Sequence, residues 1–310
     1  MIRNGRRDVA DDLARAYGNR GSTYLALQQL TNALADYNRF IDMWDTFDNH
    51  RQPEQTTDLA ERLISRASVV LQFNQLSNYM ADCSRAISLL EPLAEAQPGS
   101  LKVLGIALCY RANGYDHLMD LTNAIKDYTR SISILSTFAA NGQHDVIESL
   151  VKASFNCAND YKVVGGLTNS IQYYSRAIGI LDQSTENTPE LKAHLATIVK
   201  CRALTYCACG EITNAVLDCR RFETMMQYSV ERNGAASLSP DLEQSLVMLS
   251  VVLTIDNKAD EAKPYLEKAI KLNTDQKCTH FAILLLQAQT RPDASQLQKM
   301  LMDALQKRSP

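Results

Sequence analysis

Thr122-Asn-Ala-Ile-Lys-Asp-Tyr-Thr-Arg-Ser-Ile132 decides the fold, because the same eleven-residue pattern returns along the chain at nearly constant spacing. The other copies are TNALADYNRFI from Thr31, SNYMADCSRAI from Ser77, TNSIQYYSRAI from Thr168, TNAVLDCRRFE from Thr213 and the more divergent DEAKPYLEKAI from Asp260. Successive starts lie 46, 45, 46, 45 and 47 residues apart. A period of this size is the signature of a solenoid, whose units bury their apolar faces against their neighbours. Five of the six copies open with Thr or Ser followed by apolar residues at helical spacing, and the divergent one with Asp260. The pattern predicts a helix whose first free backbone N–H groups are taken by that hydroxyl.

A second pattern stands 10 to 14 residues upstream of each copy: a small residue followed three places later by Tyr or an aliphatic. It reads Gly21/Tyr24, Ala67/Val70, Ala112/Tyr115, Ala158/Tyr161, Ala203/Tyr206 and Ser250/Leu253. A small residue lets two helices approach, and a side chain three places on shares its face and fills the space beside it. The unit is therefore a helix pair.

With the pair in view, Tyr17-x3-Gly21-x2-Tyr24 followed by Ala33-x3-Tyr37 resembles the tetratricopeptide repeat. The match recurs at Ala112, Tyr115, Ala124 and Tyr128, and at Ala158, Tyr161, Ser170 and Tyr174, covering roughly residues 8 to 273. The period of about 45 exceeds the family's 34, and the Pro that usually closes a unit is missing. The resemblance implies an all-α, right-handed superhelical solenoid of helix–turn–helix units. One repeat domain, 1–310, is expected, with units at about 8–50, 53–98, 100–141, 144–187, 189–235 and 240–273 and capping helices over 275–307. Pro53, Pro189 and Pro240 each stand before a helical pattern, where a missing N–H costs least.

Composition narrows the function. A net charge of −3, from 32 basic and 35 acidic residues without a basic block beyond Arg3, Arg6 and Arg7, offers nucleic acid no electrostatic footprint. No apolar run is long enough to span a bilayer and the first residues lack a signal-peptide core, so a cytoplasmic setting is expected. Of the eight cysteines, Cys83 and Cys219 replace Tyr of other copies and Cys157 adjoins Ala158, as small core hydrophobes would. Cys207-x-Cys209 lacks the second pair a zinc site needs, so no metal is expected. The five histidines fall at unrelated repeat positions, and no phosphate-cradling Gly loop, H-E-x-x-H or G-x-S-x-G occurs. Neither catalysis nor a cofactor is expected.

One charged pattern recurs. Arg20, Arg66, Arg111 and Arg202 precede the small residue in the units that carry Asp36, Asp82, Asp127 and Asp218 in the second helix. Where Cys157 or Leu249 replaces the Arg, Tyr173 or Tyr265 replaces the Asp. Positions that change together suit an ion pair inside the helix pair, because an unpaired buried charge is costly. Arg39, Arg85, Arg130 and Arg221, three places after each Asp, are rival partners on the same helix.

The resemblance also implies where function lies, since first helices of such repeats line a groove for a peptide or partner helix. Helical spacing opposite Ala158 and Tyr161 selects Lys152, Phe155, Asn156, Asn159 and Lys162; the preceding unit adds Cys109, Tyr110, Asn113 and Asp116, and the next adds Lys200. Lysines with asparagines resemble the clamp some family members use for a peptide carboxylate, although Phe155 and Cys109 stand where that clamp has lysine. The expected function is a non-catalytic scaffold or adaptor that binds a protein segment, through Tyr110, Asn113, Lys152, Phe155, Asn156, Asn159, Lys162 and Lys200. The alternative is a regulatory or sensor module of a larger assembly.

Overall fold

The computed structural model describes residues 7–46, 52–183, 188–233, 235–272 and 276–289. All secondary structure among them is helical, an all-α repeat solenoid of paired helices, in two compact units that divide after Asp160. The first unit contains α1 (Arg7–Ala26), α2 (Leu30–Asp45), α3 (Pro53–Gln72), α4 (Leu76–Leu90), α5 (Pro98–His117), α6 (Leu121–Ala140) and, after a 3₁₀ turn at His144–Val146, most of α7 (Ile147–Val163). The second contains the end of α7, then α8 (Leu167–Gln183), α9 (Pro189–Ala208), α10 (Ile212–Asn233), α11 (Ala235–Ile255), α12 (Ala259–Leu272) and α13 (Gln276–Gln289). Helices α1/α2, α3/α4, α5/α6, α9/α10 and α11/α12 pack as pairs, and further contacts join each pair to the next within a unit. The second capping helix expected over 293–307 lies outside the described residues.

The helix starts differ from expectation by two residues. α2, α4 and α6 begin at Leu30, Leu76 and Leu121, so the Thr or Ser of each copy lies inside the first turn and the residue two places before it, Gln29, Gln75 or Asp120, is the cap. The repeated Asn instead organises the start. Its amide donates to the capping residue's side chain in Asn32–Gln29 (3.0 Å), Asn78–Gln75 (2.9 Å), Asn123–Asp120 (2.7 Å) and Asn214–Glu211 (2.7 Å). Asp120 also accepts from the Asn123 backbone N–H at 3.3 Å, meeting one of the donors every helix start leaves free. Before each start the chain reverses through a left-handed residue: Gln28, Asn74, Met119 and Asn257 at φ 58°, Gly165 at 81° and Gly210 at 77°. Pro53, Pro98 and Pro189 open α3, α5 and α9. Pro240 does not open its helix: α11 begins at Ala235, so the sixth pair starts earlier than the proline suggested.

In the first unit Phe40, Trp44, Leu59, Leu63, Leu90, Leu104 and Leu108 are fully buried in one continuous core. The small positions do the steric work expected of them. A Cβ on Gly21 would meet Tyr37 Cε1 at 2.9 Å. In the second pair the large ring sits one turn earlier, as Tyr79 with Cys83, and Gly114 of α5 makes room for it: a Cβ there would lie 2.8 Å from Tyr79 Cε1 and 2.3 Å from Met80 Sδ. All eight cysteines are free, and Cys83, Cys109, Cys157, Cys207, Cys219 and Cys278 are buried. Burial pushes the thiols of Cys83, Cys109 and Cys207 up to about 12, so they are inert packing groups.

Candidate functional site

The four Arg–Asp pairs are structural. Arg20, Arg66, Arg111 and Arg202 each grip an Asp sixteen residues on in a two-pronged bond, through Nε at 2.6, 2.8, 2.6 and 2.8 Å respectively. The second prong, from Nη2, measures 2.9, 2.5, 3.0 and 2.7 Å. Each Asp is buried. The guanidinium also lies over the Tyr four residues on: Arg20 over Tyr24, Arg111 over Tyr115 and Arg202 over Tyr206, at 5.9, 5.9 and 5.7 Å. Where the pair is absent, Tyr161 stacks on Tyr173 at 5.5 Å. Of the rival arginines only Arg39 is seen bonded to its helix-mate Asp, at 3.2 Å. Arg85, Arg130 and Arg221 reach the preceding pair instead, to Asp45, Glu91 and Asp182.

The residues projected onto the open face fall on α5 and α7 in the first unit, with Lys162 and Lys200 in the second. Tyr110, Asn113, Phe155, Asn156 and Asn159 are half-buried and Lys152 is exposed, so Phe155 does not stand free in solvent. Tyr110 packs on the core, and its carbonyl accepts from the Tyr79 hydroxyl. The asparagines are held by tyrosine hydroxyls: Asn113 Nδ2 donates to Tyr79 Oη at 3.5 Å and Asn156 Nδ2 to Tyr128 Oη at 3.1 Å. Burial works to lower the pKa of Lys152, but its bond to Glu148, one turn back at 2.6 Å, outweighs this and raises it. Its charge also acts on Cys109 and Tyr110, so α5 and α7 present these groups together. In the second unit Lys200 donates to Gln244 at 2.8 Å and lies 6.0 Å from the Phe222 ring, while Lys162 acts on Cys201.

Beside Asn156 lies a polar cluster that helical spacing did not assemble. The Tyr128 hydroxyl donates to Asp116 Oδ2 at 2.6 Å, and the Asp116 carboxyl is hydrogen-bonded to that of Asp160, which is only 6% exposed. Burial raises both acids; the Asp116 charge adds to the effect at Asp160, which is pushed up to about 8. Tyr128 is raised as well, chiefly by burial. The sequence held one signal. Asp160 occupies the repeat position of Thr23, Val69, Gly114, Thr205 and Val252, where a charge is out of place. Among the described residues no group of three or more His, Cys, Asp or Glu could hold a metal ion, and no helix is long and apolar enough to cross a membrane.

An array of paired helices with a recurring small-residue contact defines a class of repeat protein, and comparison with known proteins agrees. The tetratricopeptide repeat family matches at residues 14–43 and 243–276, so these two segments read as tetratricopeptide repeats. BtubC (BKLC) from P. vanneervenii is similar in structure at a TM-score of 0.57 and 16% identity, over 80% of this chain and 92% of that one. The apo form of RapI gives 0.55 at 11% identity, over 94% and 99%. A putative kinesin light chain repeat protein of Podosopora anserina gives 0.52 at 14%, over 74% and 99%. At these identities the likeness is one of fold. No curated protein matches the sequence.

Proposed function

We propose that the protein is a non-catalytic interaction scaffold that takes an extended peptide or partner helix along α5 and α7. The observation that carries this reading is the state of Asn113 and Asn156. Each amide spends one N–H on a tyrosine hydroxyl and keeps its oxygen and second N–H. Side chains already fixed lose little entropy when they bind a peptide backbone. Tyr110 and Phe155, one turn before Asn113 and next to Asn156, supply aromatic surface, the kind that most often dominates binding energy, and Asn159 follows one turn after Asn156. The bond to Glu148 spends part of the Lys152 charge, so Lys152 adds only modest preference for an acidic segment. Lys162 and Lys200 lie in the second unit, where Lys200 is already engaged with Gln244.

A photo-crosslinking residue placed at 159 in the full chain tests the reading, with one at the exposed Lys126 of α6 as the control. Specific capture of the same protein segment from 159, lost on Phe155→Ala, is the expected result. Capture from 126 alone would move the binding surface to the second helices.

A further inference from the structure

Buried polar atoms in folded proteins almost always have partners. Two that do not are Asp116 Oδ1 and Asp160 Oδ2, one from each carboxyl of the cluster between α5 and α7. The two carboxyls are hydrogen-bonded to each other, a contact that exists only if one of them keeps a proton. That proton also removes a like-charge repulsion that burial would make severe. We propose that Asp116 and Asp160 share one proton, and that this proton is a clasp joining α5 to α7 which opens under alkaline conditions.

The surroundings assign the roles. Asp116 is the acceptor: the Tyr128 hydroxyl from α6 donates to its Oδ2 at 2.6 Å, and the bond from Asp160 favours its ionised form. His117 on α5 also favours that form. On α7, Asn156 is committed to Tyr128 and therefore supports Asp116 only through it. Asp160 receives no compensating cation; the one charge acting on it is that of Asp116, so it is the acid that keeps the proton. Tyr128 is itself held protonated by burial and by Asp116, so it remains a donor throughout.

The sign follows from proton uptake. An unfolded aspartate titrates near 3.9, whereas folded Asp160 titrates at about 8. Between these values the folded chain binds one more proton than the unfolded chain. The stabilisation is complete below the unfolded value and is lost as pH rises toward the folded one, at about tenfold in the unfolding constant per pH unit. Above it the two charged carboxyls face each other across α5 and α7.

Carbon-13 NMR of the side-chain carboxyls of the intact chain tests the proposal directly. The expected result is a titration of Asp160 with a midpoint near 8. A midpoint below about 5, the range of ordinary aspartates, overturns it. Asp160→Asn supplies a permanent N–H donor toward Asp116 in place of the proton. Its unfolding constant should be flat between about pH 6 and pH 8, where the parent rises about fiftyfold. Parallel profiles for parent and variant also overturn it, and if Asp160→Asn does not fold, the parent's titration alone decides.

Discussion

Inside the helix pairs and between α5 and α7 the molecule buries carboxylates in opposite ways. Asp36, Asp82, Asp127 and Asp218 are each met by a two-pronged arginine, and the geometry repeats with the same sixteen-residue separation. Asp116 and Asp160 meet each other and have no arginine. A carboxylate matched by a fixed cation can stay charged in a partly dry site, whereas two acids facing each other must keep a proton. The repeated clasp therefore serves at every ordinary pH, and the single one is conditional.

The largest effect should come from breaking the repeated clasp. Arg111→Ala leaves Asp127 buried with no counter-charge, and a loss of about 3–5 kcal/mol in chemical denaturation is expected. A double-mutant cycle with Asp127→Asn should show strong coupling, and a value near zero would place the pair in solvent-like surroundings. Arg20 is 52% exposed against 22% for Arg111, so Arg20→Ala should cost less.

Next in size is the steric fit between pairs. Gly114→Ala drives a methyl group into Tyr79 and Met80, and a loss of about 1–3 kcal/mol is expected in the same assay. Met80 is the flexible neighbour, so Met80→Ala in the same chain should return part of it. No recovery would mean that the Tyr79 ring bears the clash.

The comparison is sharpest in pH. Arg20 holds Asp36 below its ordinary value, so its stabilisation is present above about pH 4 and disappears as pH falls through the lowered value. Asp160 works in reverse, at about 1.4 kcal/mol per pH unit for one proton up to its value of about 8. Thermal unfolding followed across pH should therefore decline on both sides, with Asp160→Asn flattening the alkaline side alone. The smallest effect belongs to the outer ladder. Arg130 and Glu91 are 47% and 41% exposed, so Arg130→Ala should cost about 0–1 kcal/mol, less at high salt.

What the sequence revealed and what it hid divides along the same line. Repetition exposed the helix pairs, the small-residue contacts and the Arg–Asp clasp, because six copies let each position be compared with itself. It could not expose what happens once. The Asp116–Asp160 contact joins residues on two first helices at different repeat positions, and nothing periodic connects them. Phe155 shows a related limit: spacing gives the side of a helix on which a residue stands, but not how far neighbouring helices rise around it, and its ring is half-buried. The helix caps lie two residues earlier than Thr and Ser, strong capping residues by type, suggest, because here an Asn gripping the residue two places before them decides the start.

The constant sixteen-residue separation of the Arg–Asp bonds also bears on how the chain reaches its structure. Closing a loop this short costs little chain entropy, and the cost is the same at each of the four places. A left-handed turn residue already bends the chain between the two helices of each pair. Each of these four hairpins therefore carries its own closing contact, made before any partner from the next hairpin is needed. Such a chain is a succession of nearly equal local steps, and order can start at more than one hairpin and spread outward.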